Sequence, residues 1–317
     1  MKWNQHFSLA CLTLGAVLLL ANCKKDDATI YKYQSDALNL PAQVSNYSKP
    51  TLPNHLGNLS STVQSRVSDH GATLGRVLFY DTKLSLNNKI ACASCHHQEN
   101  GFADPVAFSK GFDGGKTLRN ASSIVNLVSQ SNFFWDARET DLAQMVLKPI
   151  ENHIEMGLDN MEALQRKLKE VGYYDELFEN AFGDKQITPD RIAAGLSQFL
   201  SSMVSGGSKF DQATPGTWGG IDLSTLNQQE ARGHDLFFGK ATCASCHNPV
   251  DNFFGGGQTW ADIGLEVNYT DKGLGENLPN SDGFFKIPSL RNATLTAPYM
   301  HDGRFATLMS NGRFSCC

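Results

Sequence analysis

The sequence predicts an all-α fold in which long loops connect the helices. Its 317 residues suffice for about two domains, and 41% apolar with 19% charged residues indicate a globular chain rather than a disordered one. Apolar residues recur at helical spacing between residues 159 and 207, whereas no segment alternates apolar and polar residues over a useful strand length. The net charge of −5, without a basic stripe, argues against a nucleic-acid-binding surface.

Two helices are predicted in this central stretch. The first begins at a candidate capping pair, Asp159 and Glu162, and the second begins at Thr188 and Pro189. Gly206 and Gly207 end the second helix, and residues 206–220, rich in Gly, Ser, Thr and Pro, form the best candidate linker. The apolar faces comprise Met161, Leu164, Leu168 and Val171 in the first helix and Ile192, Leu196, Phe199 and Leu200 in the second.

The N-terminus has the pattern of a lipoprotein signal peptide over residues 1–22. One lysine precedes a mostly apolar run at 7–21, which is short for a membrane span. Cys23 ends a Leu-Ala-Asn-Cys sequence that resembles a bacterial lipobox, in which the cysteine carries the lipid. An uncleaved N-terminal anchor is the alternative, and in both cases the body of the protein is exported. Residues 23–65 are polar and are expected to form a tether and an irregular lead-in segment.

The pentapeptide Cys-Ala-Ser-Cys-His occurs twice, at residues 92–96 and 243–247. C-x-x-C-H is the attachment signature of c-type haem, in which the two thiols bond to one haem edge and the histidine ligates the iron. The two copies therefore predict two covalently bound c-type haems. The predicted haem-binding residues are Cys92, Cys95 and His96 in the first copy and Cys243, Cys246 and His247 in the second.

Zinc binding and thiol redox chemistry are the competing interpretations of these cysteine pairs. Zinc ribbons place their two pairs about 15–20 residues apart, whereas nearly half of the chain separates these two. A thioredoxin-like motif lies in a βαβ context, which neither flank shows. Similar segments, 75–80 and 233–238, precede the two signatures, so the sequence indicates two related cytochrome c-like haem domains. We expect them at residues 66–215 and 216–317.

Several segments resemble the bacterial di-haem cytochrome c peroxidases and the related di-haem enzymes that mature methylamine dehydrogenase. The resemblance runs from Leu74 to Leu308, and its segments are highly specific only in combination. They are LGRVLFYDTKLS (74–85), CASCHHQENGFAD (92–104), FFWDARETDL (133–142), PIENHIEMG (149–157), GHDLFFGKATCASCHNP (233–249) and FKIPSLRNATLTAPYMHDGRFATL (285–308).

The resemblance implies that hydrogen peroxide is reduced at the N-terminal haem, with electrons that a small cytochrome c-type donor delivers through the C-terminal haem. Two linked haems can hold the two electrons that this reduction requires. Trp135 matches the family tryptophan between the haems and is expected to relay electrons, and Glu155 matches the distal glutamate, a general acid and base. A core aromatic residue and a surface acid are the alternatives for these two positions.

The resemblance also implies a calcium ion between the domains. Asn120, Thr296 and Pro298 stand at the matching positions, and amide and backbone oxygens are ligands that calcium accepts. Together with the signal sequence, the resemblance implies a bacterial lipoprotein that faces the periplasm or is held on the outer membrane, and it admits a homodimer.

Three features depart from the family pattern. Lys110 stands where many members carry a histidine that caps the first iron until the enzyme is reduced, so we expect an open or readily opened peroxidatic haem. Met145 replaces the usual active-site glutamine, and helical geometry turns the adjacent Gln144 about 100° away. Ser315 occupies the place of the second haem's axial ligand, and the chain stops early, so the second domain is expected to be truncated.

These departures keep two further functions open. One is long-range oxidation of a protein or small-molecule substrate through Trp135. The other is non-enzymatic electron transport by a cytochrome with both irons six-coordinate, although Glu155 argues against a simple carrier.

Overall fold

The computed structural model describes residues 30–32, 38–41, 44–214, 221–247 and 260–311. In this part of the chain the fold is mainly helical, as the sequence predicts. The helices are α1 (Gly57–Arg66), α2 (Asp69–Tyr80), α3 (Leu142–Met145), α4 (Lys148–Glu151), α5 (Met161–Lys169), α6 (Tyr173–Phe182), α7 (Pro189–Ser202), α8 (Lys209–Gln212), α9 (Gln228–Phe238) and α10 (Leu308–Asn311). The strands pair as two antiparallel two-stranded sheets, β1 (Ile30–Lys32) with β2 (Asn39–Pro41) and β3 (Trp260–Ala261) with β4 (Phe285–Lys286).

Both predicted central helices are present, with shifted ends. The Asn160 side chain caps α5 by accepting a hydrogen bond from the Ala163 backbone N–H at 2.8 Å, so the predicted capping pair at Asp159 is one residue too early. The first helix ends at Lys169, before Val171. Thr188 caps α7 as predicted, but α7 ends at Ser202, before the two glycines that were expected to end it. Side-chain capping geometry, which depends on backbone dihedrals, decides these positions.

The lead-in segment is more regular than its polar composition predicts. Helix α1 occupies the end of it and buries Leu59 and Val63 on one face. These residues pack with Leu56 and Val67 in a small cluster beside the main core. The spacing of four residues between 59, 63 and 67 was the sequence signal for this helix.

The candidate linker at 206–220 is likewise structured where the chain is described. Helix α8 begins at a capping box between Ser208 and Asp211. The Asp211 carboxylate is buried and accepts hydrogen bonds from His55 at 2.8 Å and from both guanidinium NH2 groups of Arg291 at 2.7 and 2.8 Å. Residues 206–214 are therefore fixed between the lead-in and the C-terminal stretch, and residues 215–220 lie outside the described residues.

The predicted signal peptide at 1–22 and the predicted lipid-bearing Cys23 also lie outside the described residues. Among the residues that are described, no helix has both the length and the apolar composition needed to span a bilayer.

Helices α2 and α7 form the centre of the core, and they touch where both lack a side chain. Gly75 of α2 faces Gly195 of α7 so closely that a Cβ added to residue 75 would lie 1.9 Å from the Gly195 carbonyl oxygen. This approach lets the apolar faces of the two helices pack directly on each other. Those faces bury Leu74, Leu78 and Phe79 from α2 and Ile192, Leu196 and Phe199 from α7.

Substitution of Gly75 by alanine is expected to destabilise the protein, because the added methyl group forces α2 and α7 apart. Overpacking of this kind typically lowers the free energy of unfolding by about 1–3 kcal/mol, and the melting temperature of the haem-loaded protein reports it. Gly57→Ala is the matched control, since Gly57 has helical dihedrals and nothing lies within 4 Å of its added Cβ. Equal melting temperatures for the two variants would contradict the close helix crossing.

Candidate haem sites

The first haem signature forms a tight turn after α2 that prepares its histidine for metal ligation. The His96 backbone N–H donates to the Cys92 carbonyl oxygen at 3.0 Å, which folds the pentapeptide back on itself. The His96 side chain donates its Nδ1–H to the Phe102 carbonyl oxygen at 2.9 Å, because a carbonyl can only accept. Nε2 is then the ring nitrogen that carries the lone pair, as a proximal iron ligand requires.

The environment of this signature favours thioethers and a neutral imidazole. Burial raises the pKa of Cys92 to about 12 and that of Cys95 to about 11, so both sulfurs are uncharged thiols at neutral pH. Burial also lowers the pKa of His96 and keeps it in the neutral, ligating form. The described cysteines of both signatures form no disulfide. Among the described residues, no three or more His, Cys, Asp or Glu side chains converge as a zinc site requires, so the signature fits a covalently attached haem better than a zinc ion.

The second signature repeats this local structure after α9. The His247 backbone N–H donates to the Cys243 carbonyl oxygen at 2.9 Å, matching the bond in the first copy. Cys243, Cys246 and His247 line a cavity of about 550 Å³, a volume within the range of about 300–1,000 Å³ typical of cofactor pockets. The cavity is therefore large enough, and lined by the right donors, to receive the second haem.

Trp135 lies in the wall of the same cavity, although its neighbours are far away in sequence. Its indole Nε1–H donates to the Asn120 carbonyl oxygen at 2.9 Å. The Lys286 backbone N–H donates to the Trp135 carbonyl oxygen at 2.7 Å. Phe134 and Ala137 beside it have φ values of 62° and 52°, a conformation uncommon for residues other than glycine. The tryptophan is thus held in a defined orientation next to the second haem signature.

Glu155 lies on the loop between α4 and α5, where a short hairpin at 110–116 packs against it. The Phe112 backbone N–H donates to the Glu155 carbonyl oxygen at 2.9 Å. A Cβ added to Gly111 would lie 1.6 Å from the Ile154 carbonyl oxygen, so only glycine allows this contact. Gly157, with φ +71°, similarly leaves room for the Phe112 ring.

Burial raises the pKa of the Glu155 carboxyl, and the positive charge of Arg138 partly opposes that rise. After burial, which is the largest cause, the Glu155 charge contributes to the raised pKa of both Cys92 and Cys95. The Glu155 charge therefore acts electrostatically on the first haem signature. A carboxyl group with a raised pKa suits proton transfer better than an ordinary surface glutamate does.

The positions that depart from the family pattern are described except for Ser315, which lies outside the described residues. Lys110 is exposed at the start of the hairpin and pairs there with Lys116. Met145 is buried in the core, whereas Gln144 is exposed. The adjacent glutamine thus does not take the place of the missing one, as the helical geometry predicts.

The three predicted calcium residues come together from two distant parts of the chain. Asn120, Thr296 and Pro298 all line the cavity of the second haem signature. Asn120 is buried and donates its side-chain amide to the Val106 carbonyl oxygen at 2.9 Å. Its side-chain oxygen is then the atom that suits a cation.

Sequence reasoning missed a cluster of charged residues around Trp135. Arg119 donates to Asp136, which follows the tryptophan, and to Asp271 in the C-terminal stretch. Arg138 also donates to Asp136, at 2.9 and 3.0 Å, and its guanidinium lies over the Phe134 ring. The Asp-x-Arg pattern at 136–138 is visible in the sequence. Arg119, however, lies 17 residues from Asp136 and 152 residues from Asp271, and no local pattern indicates pairs that distant.

Comparison with known proteins begins with a family model described as di-haem cytochrome c peroxidase, which matches residues 69–217. The cytochrome c551 peroxidase of Nitrosomonas europaea is 35% identical over 243 residues, covering 75% of this chain and 70% of that protein. The cytochrome c551 peroxidase of Pseudomonas aeruginosa is 30% identical over 282 residues, covering 86% and 77%. The methylamine utilization protein MauG of Methylorubrum extorquens is 35% identical over 243 residues, covering 74% of this chain and 65% of that protein.

Solved structures give the same result at the level of the fold. A MauG-like protein associated with microbial copper homeostasis superposes with a TM-score of 0.69 at 32% identity, covering 86% of this chain and 81% of that one. The diheme peroxidase BthA from Burkholderia thailandensis shares the fold with a TM-score of 0.67 at 23% identity, covering 78% and 72%. The chain therefore belongs to the family of di-haem cytochrome c peroxidases and MauG-like proteins, a membership that implies two c-type haems.

Proposed function

We propose that the protein is a peroxidase that reduces hydrogen peroxide to water, taking up two electrons and two protons for each peroxide. The observation that carries this proposal is the half-buried Glu155 carboxyl group, whose charge acts on both cysteines of the first haem signature. A simple electron carrier has no use for a proton-transfer group at that position. The relatives named cytochrome c551 peroxidase support the same assignment.

In this proposal one haem signature serves peroxide reduction and the other serves electron uptake. Cys92, Cys95 and His96 hold the haem at which peroxide reacts, and their counterparts at 243–247 hold the haem that receives electrons from a cytochrome c-type donor. When bound, the haems supply one-electron redox chemistry. Trp135, fixed in the wall of the second cavity, lies on the route between them.

Glu155 moves the proton. Its carboxylate accepts a proton from the oxygen of peroxide nearer the first haem and returns it to the departing oxygen, which leaves as water. General acid–base catalysis of this kind is worth typically about 10²–10⁴-fold in rate. The positive charge of Arg138 opposes the rise in the Glu155 pKa and so favours the carboxylate form that the first step requires.

A second candidate function is oxidation of a protein or small molecule at a distance, through Trp135. The buried Met145 favours it, because the active-site glutamine usual in the peroxidases is missing and the exposed Gln144 does not replace it. The MauG of M. extorquens is as similar to this chain as the N. europaea peroxidase, at 35% identity.

The proposed function includes two haem-bearing domains, a calcium ion and a location outside the cytoplasm. We place the peroxidatic domain at 66–215 and the electron-transfer domain at 216–317. A calcium ion held by Asn120, Thr296 and Pro298 would lie in the wall that both stretches share. Export by the signal sequence and a lipid on Cys23 would place the enzyme at the periplasmic face or on the outer membrane, where small cytochromes c circulate.

Mixing the haem-loaded protein with hydrogen peroxide in a stopped-flow spectrometer tests the function. The oxidised form is expected to react without prior reduction, because Lys110 replaces the capping histidine, and reduced cytochrome c is then oxidised in a 2:1 ratio to peroxide. A long-lived oxidised state that donors do not discharge would support the second candidate instead. Absence of any reaction, in both the oxidised and the half-reduced forms, would identify an electron carrier.

Glu155→Gln is expected to slow the reaction with peroxide by about 10²-fold or more, since the amide can neither accept nor return the proton. Haem content and the visible spectrum of the oxidised protein should stay the same. Glu151→Gln is the matched control, because Glu151 is an exposed glutamate at the end of α4. A Glu155→Gln variant as fast as this control would remove the residue from the mechanism.

Arg138→Gln is expected to move the acid limb of the pH profile to higher pH. Burial raises the pKa of Glu155 above that of an ordinary glutamate and the Arg138 charge lowers it, so loss of the charge raises it further. The reactive carboxylate is lost as the pH falls through this pKa, and activity is therefore lost earlier on acidification. The pH dependence of the rate constant for peroxide measures the shift. Arg138→Lys keeps the positive charge and should leave the acid limb of the pH profile where it is in the wild type. An acid limb that does not move in Arg138→Gln would contradict the role of Glu155 as the proton-transfer group.

A further inference from the structure

Two consecutive residues, Arg119 and Asn120, hold the consecutive residues 135 and 136 beside the cavity of the second haem signature. The Asn120 carbonyl oxygen accepts the indole Nε1–H of Trp135 at 2.9 Å. Arg119, one residue earlier, donates from its guanidinium to the Asp136 carboxylate at 2.5 Å, one residue later than the tryptophan. The Asp136 side chain is 3% exposed, so this ion pair is shielded from water. The paired contacts fix the peptide that carries Trp135 as well as its ring.

The opposite edge of the same guanidinium binds the C-terminal stretch. Its Nε and its other NH2 group donate to the two carboxylate oxygens of Asp271 at 2.6 and 2.7 Å, a bidentate pair across 152 residues. Asp271 itself lines the cavity that holds the second haem signature. The Asp271 carboxylate also accepts the Gly273 backbone N–H at 2.8 Å, which fixes its own orientation.

The planar guanidinium makes these contacts depend on one another. A bidentate carboxylate pair sets the plane of an arginine head group, and a rotated head group cannot present its remaining N–H in the same direction. Without Asp271, that edge of the Arg119 head group keeps only a 3.4 Å contact with the half-exposed Glu276, so it turns more freely and its hold on Asp136 loosens. Asp136 would then rely on Arg138, whose side chain is 37% exposed.

We propose that Arg119 and Asp271 form a latch, a pair of positioning residues that holds Trp135 in the electron path while the C-terminal stretch is docked on it. The latch rests on the proposed function, because it presupposes that electrons pass between the haems through Trp135. With this latch, electrons pass between the haems only while the two haem-bearing stretches are in contact. A partly separated protein would then not discharge its oxidising equivalents through this route.

Asp271→Asn in the full-length, haem-loaded protein tests the latch. The rate of electron transfer between the haems, measured by transient absorption after photoreduction of one haem, should fall about tenfold, because asparagine offers Arg119 one uncharged acceptor in place of a bidentate carboxylate and Trp135 is then held less firmly. The matched control is Asp282→Asn, since Asp282 pairs with Lys272 at 3.3 Å and both side chains are about half exposed. Such surface pairs contribute little, so this variant should keep the wild-type rate.

Three readouts separate positioning from general structural damage. Haem content, the spectrum of the first haem and the rate of its reaction with peroxide should not change in Asp271→Asn. Asp271→Glu, which restores the charge, should recover part of the lost electron-transfer rate. A variant that loses haem or peroxide reactivity together with electron transfer would overturn the latch in favour of a simple packing role.

Trp135→Phe distinguishes failure of the latch from failure of the proposed function. If Trp135→Phe leaves the rate between the haems unchanged, electrons do not use the tryptophan and the proposed route is wrong. If Trp135→Phe slows electron transfer while Asp271→Asn has the same transfer rate as Asp282→Asn, electrons do pass through the tryptophan and the latch is wrong.

Discussion

The need to neutralise buried carboxylates holds the distant parts of this chain together. A charge taken out of water is costly unless a partner and hydrogen bonds compensate it. Asp211 meets this need with His55 from the lead-in and Arg291 from the C-terminal stretch. Asp136 meets it with Arg119, which also binds Asp271. Each buried acid thus joins segments that are separate in sequence, and the cavity of the second haem signature lies where the C-terminal segments meet the earlier chain.

Apolar packing supplies a second chain of contacts, which runs from the core to the first haem ligand. The close approach of α2 and α7 at their glycines brings the Phe79 ring to 5.4 Å from the Phe199 ring, measured between centroids. Phe79 also packs edge-on against Phe102 at 6.2 Å. The Phe102 carbonyl oxygen accepts the Nδ1–H of His96. The orientation of His96, the predicted iron ligand, therefore depends on how α2 and α7 pack.

Local patterns predicted those features whose partners are close in sequence. The Thr188 cap and the buried face of α7 each lie within a few turns of chain, and the structure has them where the sequence places them. The composition of residues 206–220 predicts a linker where helix α8 lies, because Asp211, which caps this helix with Ser208, resembles any polar loop residue in the sequence. The Asp211 carboxylate can be buried because Arg291, 80 residues further on, pairs with it, and the composition of the segment does not indicate such a pair. The Arg119 contacts escaped prediction for the same reason.

The hairpin at 110–116 connects the departure at Lys110 to the proton transfer proposed for Glu155. A capping histidine must leave the iron when an enzyme is activated, so its loop has to move. Here the Gly111 backbone lies against the Ile154 carbonyl, and the Phe112 ring fills the space beside Gly157. Since Phe112 is also hydrogen bonded to the Glu155 backbone, movement of the hairpin would carry the glutamate with it. A loop fastened in this way suits a site in which the proton-transfer group is already in place, which agrees with the absence of a histidine at position 110.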